Sequence, residues 1–456
     1  MKVLVCGSTG CVGQAVVRAL RSRGHEVVEG ARSARDGDRS MQVDFMRERT
    51  PEAWAARLSA RGVDAVVNCV GILMASRTQS FERVHAAGPI ELFRGAARAG
   101  VRRVVQISAL GVGDDADSLA MPYLRSKLLA DESLAALPLD WTVLRPALVY
   151  GPRSQSAALF ATLASLPVIS LPGGGTQRLQ PIHVFELAEA VARRIEDDTP
   201  HREVLELGGA DVLSYREMLA RYRDALGLGE ALWLPLPMLL MKLAGWLAEA
   251  LPQKVFCRDT MRLLERGSVP ARNAAAALLG RAPTAFAQGL AITRPEAMLN
   301  LRVELSPPVA ALMRASLAFM WLYTALVSAL LRDASGVMAL LARCGFEGDA
   351  GIAALVFSCT LNTALGLMVL MRPSARVYAL QSAAIVGYTV TAAVRMPELT
   401  IDHCGPLVKN LPMLAAVLTL WLAHRAPKEQ GRPFRDERPI MKGLAVRLNP
   451  SRTPPA

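Results

Sequence analysis

The sequence predicts an α/β domain built on a doubly wound parallel sheet, followed by an all-α bundle of four membrane-spanning helices. Three observations predict it. The Val-rich run Met1-Lys2-Val3-Leu4-Val5-Cys6 passes through Gly7-Ser8-Thr9-Gly10-Cys11-Val12-Gly13 into a helical pattern from Gln14 to Leu20. Apolar strand-length runs and helical patterns then alternate, as in a parallel sheet covered on both faces. Four long apolar runs close the chain, at 309–331, 351–371, 376–394 and 407–424. Each approaches or exceeds the roughly 20 residues a helix needs to cross a bilayer.

The first run suits a strand buried on both faces. Three glycines at three-residue intervals let the backbone turn sharply and let a pyrophosphate approach the helix N-terminus. The spacing is GxxGxxG rather than GxGxxG, and the flanking strand and helix give it its meaning. A second strand, 24–31, ends at Arg32-Ser33, with Arg35 close behind. A guanidinium at that tip suits a ribose 2′-phosphate, which favours NADP over NAD. Glu29 falls two residues too early for the acidic role of an NAD site. Asp44, after a third apolar stretch, is placed to approach the adenine end. Residues 63–70 form the next buried strand, and Asn68-Cys69-Val70-Gly71 at its end lies where the middle of the cofactor would pass.

Catalytic chemistry enters at Tyr123-Leu124-Arg125-Ser126-Lys127. Positions i and i+4 share a helix face, so the phenol and the ammonium can enter one cleft. A nearby ammonium lowers a tyrosine pKa, which suits a proton donor to a carbonyl. Ser108, at the end of strand 103–108, is placed to polarise the same carbonyl, while Ser118 and Ser126 are alternatives. His183 reads as a core or edge histidine. The run Leu171-Pro172-Gly173-Gly174-Gly175-Thr176 reads either as a mobile substrate loop or as a connector. Ser214 with Glu217 reads as a capping box that opens a helix.

These residues resemble the short-chain dehydrogenase/reductase superfamily, in its atypical, extended branch with a Rossmann-type fold. The resemblance rests on Gly7, Gly10, Gly13, Asn68–Gly71, Ser108 and the Tyr123/Lys127 pair. Leu144-Arg145-Pro146, Val149-Tyr150-Gly151-Pro152 and Gln180-Pro181-Ile182-His183-Val184 also carry it. The segments VNCVGIL, ISALG and YLRSK are similar to the 39 kDa accessory subunit family of respiratory complex I and its NmrA-like, NAD(P)H-binding relatives. The resemblance implies NAD(P) binding, with Tyr123 as proton donor, Lys127 holding the ribose and Ser108 assisting. It leaves open whether the nucleotide is turned over or held as a structural ligand.

With 456 residues, the chain is long enough for two or three domains. Hydrophobic residues reach 52% although aromatics are only 5%, so a purely soluble protein is a poor fit. The net charge of +12 is not gathered on one helix with interleaved aromatics. Basic loops beside a membrane explain it better than nucleic acid does. Seven cysteines include no CxxC pair, so neither a disulfide scaffold nor a structural metal is expected. The N-terminus runs straight into a strand, so no signal peptide is expected. The expected domains are 1–230, an interfacial bridge over 231–304, the bundle over 305–426 and a basic tail over 427–456. In the bridge, Trp233 and Trp246 would lie at headgroup depth; a buried amphipathic helix is the competing reading.

The turn between the second and third runs carries Arg372 and Arg376 without an acid, and the tail is strongly basic. Both termini and the nucleotide domain are therefore expected on the cytoplasmic face of a bacterial-type inner membrane. His403-Cys404-Gly405-Pro406-Leu407-Val408-Lys409-Asn410-Leu411-Pro412 resembles the last-helix signature of the DoxX-like membrane family. Lys409 and Asn410 would sit near the outer end of that helix, with Lys409 read as snorkelling or functional. Cys344 and Cys404 fall on the same outer side and could pair. The combined expectation is a membrane-anchored NAD(P)H-dependent oxidoreductase acting on a carbonyl or quinone-like lipid. Its rival is a nucleotide-binding assembly or sensor protein with a membrane-protein partner.

Overall fold

A strand covered on both faces cannot alternate polar with apolar residues, and the central strands here do not. In the computed structural model these are β1 (Lys2–Cys6), β4 (Ala65–Asn68) and β5 (Arg103–Ile107), buried almost throughout. The structure describes residues 1–241 except 35, 48 and 77, and residues 258–293, 307–330, 336–398 and 407–425. With β2 (Glu26–Ala31), β3 (Ser40–Gln42), β6 (Asp140–Pro146) and β11 (Arg202–Leu207), the central strands form a seven-stranded parallel sheet. Its order is β11-β6-β5-β4-β1-β2-β3. The register places Val3 beside Val27 on one side and beside Ala65 on the other. The strand order reverses between β1 and β4, which opens a crevice at their carboxyl ends.

Side chains alternate across the sheet. Val3, Val5 and Val105 face α1 (Cys11–Ser22) and, later in the chain, Val184–Glu196. Leu4, Cys6 and Val66 face α2 (Pro51–Ser59), α3 (Gly88–Arg98) and Leu134. After α4 (Ala116–Ala120), α5 (Pro122–Ala135) carries the Tyr123/Lys127 pair. A second lobe follows, built from β7 (Val149–Tyr150), α6 (Gln155–Ser165), β8 (Val168–Pro172), β9 (Arg178–Leu179) and β10 (Ile182–His183). The helix α7 (Val184–Glu196) belongs to the sheet, whereas β12 (Leu213–Ser214) and α8 (Tyr215–Ala225) return to the lobe. Ser214 Oγ accepts from Glu217 N at 3.1 Å and Glu217 accepts from Ser214 N at 2.7 Å, the capping box that the sequence announced.

The bridge differs from the expectation. β13 (Leu232–Leu236) pairs in parallel with β8, Leu232 beside Val168, so this stretch is part of the second lobe. Trp233 packs against the lobe's core, with the Arg216 guanidinium 5.3 Å from its ring centroid, rather than standing free as a headgroup anchor. Further on, Ala275 and Leu279 join the core on the α7 side, and Phe286 and Leu290 pack with Tyr150 and Tyr222. Trp233, Ala275, Leu279, Phe286 and Leu290 thus belong to protein cores. The chain divides into units Met1–Asn300 and Leu301–Ala456. Arg35, Trp246, Cys404 and the tail lie outside the described residues.

In the second unit, Pro307–Leu330, Gly348–Met371 and Ala375–Arg395 are helices, each with a stretch long and apolar enough to cross a bilayer. Asn410–Arg425 is shorter, and Val337–Arg343 is a small helix between the first two. Leu317, Trp321, Leu365, Tyr378, Ile385 and Val417 form their common core. A Cβ on Gly366 would lie 2.8 Å from Leu322 Cγ, so its lack of one permits a close helix approach. Phe319, Phe357 and Val394 point outward, as bilayer-facing side chains do. Asn410 Nδ2 donates to Thr389 Oγ1 at 2.7 Å and ties two helices, while Lys409 is exposed. Cys344 is a free thiol, and its expected partner is outside the described residues.

Arg103 starts β5 fully buried, pairs with Asp140 and donates to the carbonyls of Arg194, Ile195 and Thr199. Removing one partner strands the other charge, so Arg103→Met is expected to destabilise the first unit by about 3–5 kcal/mol. Denaturant unfolding of the detergent-solubilised protein measures this; a loss below about 1 kcal/mol contradicts it.

Candidate nucleotide crevice and catalytic site

The glycine turn is fixed by one carbonyl. Gly30 O accepts from Gly7 N at 2.8 Å and from Ser8 N at 3.0 Å, and Ser8 Oγ also donates to it at 3.2 Å. Gly7 takes φ +77, a left-handed conformation that glycine adopts freely. A Cβ on Gly13 would lie 2.1 Å from Gly7 O, so no side chain fits there. Gly10 is the N-cap of α1 and supplies no side-chain cap. The first-turn amides of Cys11, Val12 and Gly13 are therefore left for an anion, beside the exposed Thr9. This bare, uncapped cradle fits a dinucleotide pyrophosphate.

The Cys11 thiol donates to Pro152 O at 3.3 Å, and Arg153 donates to Gln14 Oε1 at 2.8 Å, so the turn is tied to the second lobe. Burial pushes the Cys11 thiol up to about 11 and Cys69 up to about 12. Neither is a nucleophile at neutral pH. At the tip of β2, Ala31 is buried and Arg32 is exposed. Glu29 is occupied by Arg21 at 2.7 Å. Asp44 accepts from its own turn, Met46 N at 3.1 Å, and faces Arg47 at 3.6 Å.

On the other side of the crevice, Asn68 is fully buried, donates to Gln106 Oε1 at 2.8 Å and accepts from Val70 N at 3.2 Å. A Cβ on Gly71 would come within 3.7 Å of both His85 Nε2 and Lys127 Nζ. The crevice edge thus meets Lys127 and His85 at Gly71. Lys127 Nζ lies 5.8 Å from the centroid of the Tyr123 ring and donates to Ile107 O at 3.2 Å.

The electrostatics correct one expectation. Burial pushes the Tyr123 phenol up to about 12 instead of the lysine drawing it down. Burial also pushes Lys127 down to about 8, against the pull of Asp131 and Cys69. Desolvation acts on both groups and outweighs their mutual effect. Ser108 departs from its expected role as well: its hydroxyl donates to Asp131 Oδ2 at 2.7 Å. Burial raises Asp131, Arg145 lies 3.3 Å away, and Asp131 Oδ1 has no hydrogen-bond partner among the described residues. Ser108 offers a substrate lone pairs but no proton unless it leaves Asp131. Ser118 belongs to the capping box of Asp115, and Ser126 donates to Tyr123 O at 2.9 Å.

The sequence reading missed His85. It is buried in a π-helical turn, Glu82–Ala87. Its Nε2 accepts from Ile72 N at 2.9 Å, and its Nδ1 lies 3.1 Å from Ser126 Oγ. Because Ser126 spends its proton on Tyr123 O, Nδ1 must carry the hydrogen and Nε2 the lone pair. Burial and Lys127 hold this imidazole neutral, well below the usual histidine range. The ring stacks on Phe81 at 5.4 Å and meets Tyr123 edge-on at 5.4 Å. His85 therefore pins the Gly71-Ile72 edge to the tyrosine helix. A polar residue four places after Phe81 in an apolar helical pattern was the available signal.

Around Tyr123 the wall is apolar: Val112, Met121 and Leu124, with Leu73, Phe81 and Leu263 packed against them. Leu263 comes from helix Arg258–Arg266, whose Arg266 bonds both Asp115 oxygens at 2.8 and 3.0 Å. His183 is structural, as expected: it contacts Thr293 Oγ1 at 3.0 Å, and burial pushes it down to about 4. Gly173–Gly175 forms a tight turn held by Gln177, which donates to Pro172 O at 2.7 Å.

The shift of Lys127 has a measurable sign. Between about 8 and its ordinary 10.5, the unfolded chain holds a proton that the folded lysine has lost. Stability therefore rises with pH across that window. Relative to Lys127→Met, the native protein is expected to gain up to about 1.4 kcal/mol per pH unit above pH 8. Denaturant titrations at several pH values test this, and a flat difference would refute it.

Residues 3–208 match the NAD dependent epimerase/dehydratase family, and residues 318–418 match the DoxX-like family. The chain is 29% identical over 229 residues to the mitochondrial NADH dehydrogenase (ubiquinone) 1 alpha subcomplex subunit 9 of Arabidopsis thaliana. That alignment covers 47% of this chain and 55% of the relative. It is 26% identical over 189 residues to a ceramide reductase of Caulobacter vibrioides, covering 41% of this chain and 58% of that one. The chain thus spans little more than half the length of these relatives. Among solved structures, MoeE5 in complex with UDP-glucuronic acid and NAD superposes with a TM-score of 0.51 at 21% identity, over 65% of this chain and 98% of that one. That likeness establishes the fold alone. Residues 3–208 are thus similar to the epimerase/dehydratase family and to a complex I subunit, and residues 318–418 to the DoxX-like family.

Proposed function

We propose that this protein is a membrane-anchored, NADPH-dependent reductase of an apolar carbonyl or quinone-like substrate. The observation that carries the reading is the Tyr123/Lys127 pair set in an apolar wall of Leu73, Phe81, Val112, Met121 and Leu263. A site for a charged sugar nucleotide would need cations where these side chains stand. The similarity to a ceramide reductase points the same way. The spans of the second unit would keep a lipid substrate and the site at one membrane.

The chain's own residues divide the work. The uncapped amides of Cys11, Val12 and Gly13 would hold the pyrophosphate, and Arg32 the 2′-phosphate that distinguishes NADPH. Lys127 would hold the nicotinamide ribose. The bound nicotinamide supplies the hydride. Tyr123, fully protonated at neutral pH, gives its proton to the carbonyl oxygen. The ammonium of Lys127 near the ring favours the phenolate left behind. His85 keeps the tyrosine helix in register with the crevice.

Orientation follows from the loops. Arg372 and Arg376 flank the turn between helices Gly348–Met371 and Ala375–Arg395, on the side we assign to the cytoplasm. On the opposite side Arg343 pairs with Glu398, which neutralises that charge.

A second reading is a nucleotide-binding assembly protein with a membrane partner. The commitment of Ser108 to Asp131 and the similarity to a complex I subunit favour it. NADPH oxidation by the detergent-purified protein, with a panel of lipid ketones and quinones, separates the two. We expect acceptor-dependent turnover that falls about 10²–10⁴-fold in Tyr123→Phe with NADPH affinity retained. Tight binding with no turnover by any acceptor would favour the assembly role. Arg32→Ala is expected to weaken NADPH about tenfold and leave NADH unchanged. Equal effects on both nucleotides would remove Arg32 from the 2′-phosphate site.

A further inference from the structure

Strand β13 has its patterning reversed. Trp233 turns inward under Arg216, while Leu232 and Leu234, on the other face, are 65% and 45% exposed. Val168, the register partner of Leu232 on β8, is also exposed. Among the described residues the strand pairs only with β8, and Pro235 sits in it, as prolines do at sheet edges. Four residues beyond lie Leu239 and Leu240, 78% and 52% exposed. Leu232, Leu239 and Leu240 are the three most exposed large apolar side chains of the first unit among the described residues. Single exposed leucines need no explanation, but four of them within nine residues, 232–240, point to a binding surface.

We infer that this leucine edge, Leu232, Leu234, Leu239 and Leu240 with Val168, docks the first unit onto the lipid bilayer. The chemistry suits the interface between headgroups and acyl chains. No acidic residue occurs from Ala231 to Ala248, so this stretch of the sequence carries no charge that repels anionic headgroups. Covalent reach supplies the occupant. Thirteen residues, 294–306, separate helix Phe286–Thr293 from helix Pro307–Leu330. At about 3.5 Å per residue they span at most about 50 Å. A first unit so tethered meets a bilayer far more often than any dissolved partner. The inference rests on the reading of the second unit as membrane-spanning, and it deepens the proposed function: the docked edge belongs to the lobe that packs beside the catalytic cleft.

Photocrosslinking of the full chain in phosphatidylcholine/phosphatidylglycerol vesicles tests this. Leu232→p-benzoylphenylalanine and Leu239→p-benzoylphenylalanine are compared with the same substitution at Val204, an exposed apolar residue on β11. Leu330, exposed at the end of the first span, reports insertion. The expected result is lipid adducts at Leu330, Leu232 and Leu239, several-fold above Val204. Adducts at Leu330 with Leu232 and Leu239 no higher than Val204 would overturn the docking surface. So would peptide adducts there, from residues 242–257 or from a second copy. A missing adduct at Leu330 would overturn the membrane-spanning reading itself, and the inference with it.

Discussion

Everything at the crevice depends on how closely α1 approaches the end of β1. Gly13 faces Gly7 O at a distance that leaves no room for a Cβ, so the helix begins directly beneath the sheet's carboxyl edge. That closeness has two effects. It brings uncapped amides to the switch point between β1 and β4, where an anion meets the positive end of the helix. It also consumes Gly30 O on the turn, which fixes where β2 ends and therefore where Arg32 emerges.

Helix α5 shows a second constraint, in which burial outweighs charge pairing. Tyr123, Lys127 and Asp131 follow at i, i+4 and i+8 on one face of α5, all of them buried. Placing an acid, an amine and a phenol in one low-dielectric stripe makes each depend on its neighbours. Asp131 takes the Ser108 proton and faces Arg145; Lys127 takes Ile107 O; His85 accepts a backbone N–H and rests on Ser126. The resulting network holds the phenol protonated and the ammonium only weakly basic. A phenol so held is a weaker acid than a solvated tyrosine and keeps its proton at neutral pH.

Much of this was legible in the residues. The glycine turn, the parallel strands and the Tyr123/Lys127 face follow from spacing, because strand and helix periods leave few alternatives. The apolar stretch after residue 231 was less legible: composition cannot separate a lipid-facing leucine from a core leucine. The answer lay in long-range pairing, β13 with β8, and Phe286 with Tyr222. The spacing could mark His85 as a polar residue but could not name its partners, Ile72 and Ser126, which are 13 and 41 residues away. Ser108, the serine expected to assist Tyr123, gives its hydrogen bond to Asp131 instead. Hydrogen bonding, and not spacing, decided that.

The distribution of the first unit's core along the chain shapes its biogenesis. α1 is covered by α7, and the second lobe closes only when Phe286 and Leu290 reach Tyr150 and Tyr222. During vectorial synthesis, nearly three hundred residues must emerge before that core is complete. The helix that carries the first apolar span, Pro307–Leu330, follows after only thirteen residues, 294–306. Capture of that span by the insertion machinery and closure of the nucleotide lobe therefore fall in the same interval. Slow lobe closure would leave unpaired apolar surface beside a translocating helix, so the order of these two events is set by contact distance in the chain.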